Sequence, residues 1–109
     1  MMTKTYLTRN DEMILLSIIR LKENAYLVTL LDLLNRTTKK RWTLGNLFVA
    51  LEKLEEAGFI SSKLSNPTNK KGGKAIKYYS MSEAGMKALR KVRSLQNDLW
   101  DGLYEMIFC

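Results

Sequence analysis

Apolar residues recur along this chain with a period that changes twice, from helical to alternating and back to helical. Between Met13 and Leu21 the spacing is helical: Met13, Leu16, Ile19 and Leu21 form a stripe, and Leu15 and Ile18 widen it. This predicts a helix starting near Asn10, with Thr8 or Asn10 as its cap and Asp11 and Glu12 well placed in its first turn. Arg20 and Lys22 close it, and Glu23-Asn24 makes a turn. A second helix is predicted from Ala25 or Tyr26 to Thr37, burying Leu27, Leu30, Leu31 and Leu34. A short basic connection, Thr38 to Arg41, follows, with a short extended segment at Arg41-Trp42-Thr43. Thr43 is the cap of a third helix, Leu44 to Ala57. Leu47, Ala50, Leu51 and Leu54 share one of its faces, and Gly45, Asn46, Val49 and Lys53 lie opposite. Gly58 is the expected helix-ending glycine.

The period then falls to two. Phe59 to Leu64 and Ala75 to Met81 read as strands joined by the polar, turn-rich loop Asn66 to Lys74, which makes a β-hairpin. After the cap candidate Ser82 a last helix is expected to reach about Phe108. Leu89, Val92, Leu95 or Gln96, Leu99 and Leu103 form a seam along it suited to another helix, with Gly102 as a weak point or a place of close contact. Three helices, a hairpin and a helix are the order of a winged helix. The expected fold class is therefore mainly α (α+β): a winged helix-turn-helix over residues 8–81, with a long C-terminal dimerisation helix over 82–108.

Charge sharpens that picture. The chain of 109 residues has 18 basic and 11 acidic side chains, a net charge of +7. Ten basic residues and three acids fall between Arg36 and Lys77, so the whole excess sits there and the remainder is neutral. Within it, the tracts Arg36 to Arg41 and Lys63 to Lys77 contain no acid. A basic excess gathered on loops beside a helix suits a polyanion. In a winged helix the third helix enters the major groove and the wing follows the backbone. Lys39, Lys40, Arg41, Lys70, Lys71, Lys74 and Lys77 are the candidate phosphate contacts, and Thr43, Gly45, Asn46 and Val49 the candidate base readers. Asn46 carries the donor and acceptor needed for adenine.

Other classes are poorly supplied. There is no histidine, which removes the commonest general base and metal ligand. No cysteine cluster, phosphate loop or nucleophile elbow is present, so neither an enzyme nor a cofactor or metal is expected. Glu55 and Glu56 are adjacent on a helix and point about 100° apart, unlike a catalytic pair. The lone Cys109 forms no disulfide within one chain and fits a reducing compartment. With no apolar leader and no long apolar run, a cytoplasmic protein without membrane insertion is expected.

The stretch Leu44 to Ile60, Leu-Gly-Asn-Leu-Phe-Val-Ala-Leu-Glu-Lys-Leu-Glu-Glu-Ala-Gly-Phe-Ile, resembles the recognition-helix signature of PadR-family transcriptional regulators. Lys77 to Gly85 is similar to that family's strand-to-helix segment, Ala25-Tyr26 to the aromatic opening of its second helix, and Gly72-Gly73-Lys74 to its wing tip. The chain departs from the family at Phe48, where Tyr is common, at Val49, where Pro is common, and at Leu27, where Gly is common. The resemblance implies a homodimer built on the C-terminal helix, often with help from the first, repressing from palindromic double-stranded DNA. It also implies that a small hydrophobic ligand can act as effector. Leu99, Trp100, Leu103 and Tyr104 are the candidates for the dimer or effector surface, with interface core the commoner role for such aromatics. The alternative is a winged-helix protein-interaction module that does not bind DNA. Binding to RNA or to an anionic membrane is a third reading, and the membrane version lacks an apolar face beside the lysines.

Overall fold

A computed structural model describes residues 6–65 and 75–109. Helix α1 runs Arg9–Leu21. Its start is fixed by reciprocal bonds: the Thr8 hydroxyl accepts the Asp11 N–H at 3.1 Å, and the Asp11 carboxylate accepts the Thr8 N–H at 3.0 Å. Two otherwise unsatisfied helix-end donors are thereby paired. A 3-10 turn, Lys22–Asn24, leads to α2, Leu27–Thr38. Thr29 supports that entry, its hydroxyl accepting the Tyr26 N–H at 3.0 Å and donating to the Asn24 carbonyl at 2.7 Å. Helix α3 spans Leu44–Glu56, with the Thr43 hydroxyl capping it by accepting the Asn46 N–H at 3.1 Å.

Strands β1, Ile60–Leu64, and β2, Lys77–Met81, pair antiparallel with Ile60 opposite Met81 and Leu64 opposite Lys77. Both are shorter than their alternating patterns. Ser65 and Ile76 continue the pairing at the loop side, through an N–H bond to the Ile76 carbonyl and one to the Ser65 hydroxyl, each 2.8 Å. On the other edge of β2 the Tyr79 N–H donates to the Ala25 carbonyl at 2.8 Å, and Tyr26 bridges Tyr78 with edge-on rings 5.4 Å apart. The segment before α2 thus acts as a minimal third strand. The expected extended piece at residues 41–43 forms no strand.

The core is Ile14, Leu15 and Ile18 of α1, Leu30 and Leu34 of α2, Leu47, Leu51 and Leu54 of α3, with Ala25, Trp42, Phe59, Ile60 and Tyr79. Burial on α1 differs from the stripe expected of it. The flanking Leu15 and Ile18 enter the core, whereas Leu16 is 49% exposed and Ile19 38%. Apolar residues surround most of α1, so periodicity alone does not choose its inner face; packing against α2 and α3 does. On α2, Leu33 joins Leu30 and Leu34 in burial, while Leu27 and Leu31 pack at the edge.

Helix α4, Glu83–Trp100, is anchored at its first turn. The Ser82 hydroxyl accepts the Gly85 N–H at 3.0 Å and donates to the Gly58 carbonyl at 2.6 Å. Gly85 is buried, and a Cβ there would run into the Phe59 carbonyl oxygen, so only glycine allows this approach. Ala88 and Leu89 pack on the core, and the Gln96 amide donates to the Glu12 carboxylate at 3.2 Å. Beyond that point the apolar side chains of α4, Leu99 and Trp100, are exposed. It does not continue to Phe108 as expected. Asp101 leaves helical geometry, Gly102 takes φ +77°, and a short α5, Tyr104–Phe108, follows. The reversal lets Trp100 stack on Phe108, ring centres 5.9 Å apart, and brings Tyr104 to 4.7 Å from the same ring.

Candidate nucleic-acid interface

Helix α3 has two unlike faces. Leu47, Leu51 and Leu54 are fully buried and fix its position. The other side presents Gly45, Asn46, Phe48 and Val49 to solvent, and Leu44, in the first turn, is exposed as well. Nothing lies within 4 Å of a Cβ placed on Gly45, so the helix backbone is open to close approach there. Of the expected base readers, Thr43 is exposed but spends a lone pair on the Asn46 N–H, while the Asn46 side chain is exposed to solvent. Leu44 and Phe48 were not among the expected site residues. For Phe48 the signal was available: with Leu47, Leu51 and Leu54 turned inward, helical spacing leaves positions 45, 48 and 49 together outside. Leu44 shares the spacing of the inward residues, and its exposure goes with its place at the first position of the helix.

The basic connector lies against the start of this face and is held from below. The Asn35 side chain zips to the Trp42 backbone, its carbonyl accepting the Trp42 N–H at 2.7 Å and its amide donating to the Trp42 carbonyl at 3.2 Å. The buried Trp42 indole N–H donates to the Thr38 hydroxyl at 3.2 Å, and that hydroxyl donates to the Leu34 carbonyl at 2.7 Å. Lys39 ends α2 in left-handed geometry, at φ 60°. Lys40 reaches the Asn10 side-chain oxygen at 2.8 Å, with its ammonium 5.4 Å from the Trp42 ring centre. Lys39, Lys40 and Arg41 are all exposed. Arg36, counted in the same tract, pairs with Asp32 at 3.2 Å across one helical turn.

The far end of α3 is different. Lys77 sits 3.8 Å from Glu55, and the Ser62 hydroxyl donates to the other oxygen of that carboxylate at 2.6 Å. Lys77 is therefore half-exposed at the base of the hairpin, with its charge shared with α3. Beside it, burial pushes the Tyr79 phenol above its ordinary pKa, and the charges of Glu55 and Glu52 push it the same way. Glu52 and Glu56 are exposed on this end. The expected wing contacts Lys70, Lys71 and Lys74 lie outside the described residues. A second exposed apolar surface lies elsewhere. Leu99, Trp100, Leu103 and Tyr104 are all exposed, joined by Leu95, Met106, Ile107 and Phe108. Among the described residues, no cluster of three or more candidate ligands suits a metal ion, and no helix is long and apolar enough to cross a membrane.

No protein-family model and no curated protein matches this sequence. Solved structures do. A PadR family transcription regulator from Clostridium difficile aligns with a TM-score of 0.69 at 18% identity, over 88% of this chain and 97% of that one. A PadR family transcriptional regulator from Eggerthella lenta gives 0.66 at 25% identity, over 92% and 85% of the two chains. A PadR-like transcription factor from Bacteroides fragilis gives 0.67 at 18% identity, over 86% and 87%. The likeness covers most of the chain, and it bears out the PadR-like α+β winged-helix fold expected from the sequence.

Proposed function

We propose that this chain is a sequence-specific, DNA-binding transcriptional regulator that represses as a homodimer from a palindromic operator in the cytoplasm. The observation that carries the reading is the exposed leading half of α3, set beside the cations of the connector, in a fold shared with solved transcription regulators. Residues 8–81 serve as the DNA-binding unit and 82–108 as the dimerisation segment. Lys39, Lys40 and Arg41 hold phosphates on one side of α3, and Lys70, Lys71 and Lys74 of the wing hold them on the other. Lys77, already shared with Glu55, contributes less. Thr43, Gly45, Asn46 and Val49 meet base edges. Phosphate contacts set register and base contacts set sequence.

Self-association is supported by the C-terminal surface. Eight large apolar side chains between Leu95 and Phe108 stand exposed, more than a small soluble domain ordinarily leaves contiguous. The segment also divides by charge. Lys87, Arg90, Lys91 and Arg93 precede Asp98, Asp101 and Glu105, so a second copy laid antiparallel places opposite charges against each other. The exposed Leu16 and Ile19 of α1 extend the apolar area available to it. A small hydrophobic effector is placed at Leu99, Trp100, Leu103 and Tyr104, where it alters the geometry of the dimer and so the spacing of the two α3 helices. Selection from a random duplex pool tests the whole reading. The expected result is a palindromic consensus, whose symmetry reports the dimer. Failure to enrich any duplex sinks DNA recognition and favours a protein-binding winged helix.

A further inference from the structure

The exposed face of α3 says more than that it can meet DNA. Leu44, Phe48 and Val49 are hydrocarbon side chains left in solvent on the leading turns of a helix whose other face is fully packed. Phe48 is 41% exposed and Val49 49%, so neither is needed to complete the core. No lysine or arginine occurs in α3 before Lys53. Glu52 and Glu56 follow on the same face, and their carboxylates end the surface that a polyanionic groove tolerates.

In the major groove, hydrocarbon has one specific counterpart among the base edges, the C5 methyl group of thymine. Guanine is most often read by a bidentate arginine or lysine on O6 and N7, and these turns of α3 have neither. The Asn46 amide matches adenine N6 and N7. Gly45, with open space at its missing side chain, lets the helix come close enough for short side chains to touch methyl groups. We infer that α3 reads an A·T-rich half-site through its thymine methyls, with Phe48 and Val49 as specificity-determining residues and Asn46 on an adenine. The inference rests on the DNA-binding reading above and gives that reading its base preference.

The test starts from the sites recovered by pool selection. Each thymine of the consensus is replaced in turn by deoxyuridine, which keeps the pairing and removes only the methyl. Binding to the intact chain should weaken about fourfold for each contacted methyl. In Phe48→Ala and Val49→Ala that sensitivity should vanish at one thymine each, while low-salt binding to random duplex persists. Both side chains are exposed, and unchanged melting curves confirm that the variants fold. A consensus with G·C pairs under α3, including one where Glu52 accepts from a cytosine amino group, overturns the inference and leaves DNA binding standing. So does indifference to every deoxyuridine. Absence of binding to any duplex overturns both.

Discussion

Two surfaces of this small chain leave large apolar side chains in water, and they differ in what surrounds them. On α3, Leu44, Phe48 and Val49 lie beside Lys39, Lys40 and Arg41. At the C-terminal end, Leu95, Leu99, Trp100, Leu103 and Tyr104 lie among Asp98, Asp101 and Glu105, and no basic residue occurs from 94 to 109. Exposure alone says only that a partner is wanted. The neighbouring charge sorts the partners: cations beside the first surface draw a polyanion, and carboxylates beside the second turn it away and leave a protein surface as the better match. The backbone reinforces the division. The first surface rides on a helix clamped by a packed core, the second on a segment that leaves the body after Gln96.

Breaking the second surface should have the largest effect. Leu99→Asp with Leu103→Asp is expected to give a monomer in sedimentation velocity. Its operator affinity in a mobility shift should fall about a thousandfold, because two half-sites are no longer bound by one particle. Weak binding to random duplex should survive, which separates the two surfaces. The next effect belongs to the joint between them. Gly85→Ala drives a Cβ into the Phe59 carbonyl, and a loss of about 3 kcal/mol in urea melts is expected. A smaller and more general change follows from Lys39→Ala, Lys40→Ala and Arg41→Ala combined. The slope of log K against log salt should shallow by roughly one unit per lost phosphate contact, for every sequence alike, with the dimer intact. The smallest effect probes the acidic end of α3. The Tyr79 pKa is raised above 10.0, so the stability of its neutral form is fully present below that value and is lost as pH climbs through the raised one. Tyr79→Phe should remove this alkaline loss, read from melts between about pH 9 and 11.

How legible each surface was in the sequence depended on how local its causes are. The Thr43 cap, the inward Leu47, Leu51 and Leu54, and the turn at Gly58 act within a few residues of one another, so α3 emerged with its boundaries nearly right. The inner face of α1 did not, because Met13, Ile14, Leu15, Leu16, Ile18 and Ile19 offer apolar groups in most directions and only the neighbours decide. The break after Trp100 was also hidden. A glycine inside a helical pattern costs about 1 kcal/mol and is often tolerated; here the stacking of Trp100 on Phe108 accompanies the reversal at Gly102. The sharing of Lys77 with Glu55 and the seat of Gly85 beneath Phe59 join residues far apart in the chain, and no local pattern announces them. Counting Lys77 as a free cation was the natural reading of composition, and the hairpin register is what pairs it.

The chain holds two tryptophans, and the fold puts one in each region. Trp42 is 8% exposed, locked under the connector beside Lys40, whereas Trp100 is 48% exposed on the C-terminal surface. Their indoles therefore emit from unlike surroundings, blue-shifted for the first and red-shifted for the second. The protein carries a built-in pair of optical reporters, one beside the proposed phosphate contacts and one on the proposed subunit contact, so a single unlabelled sample can show in which order the two partners arrive.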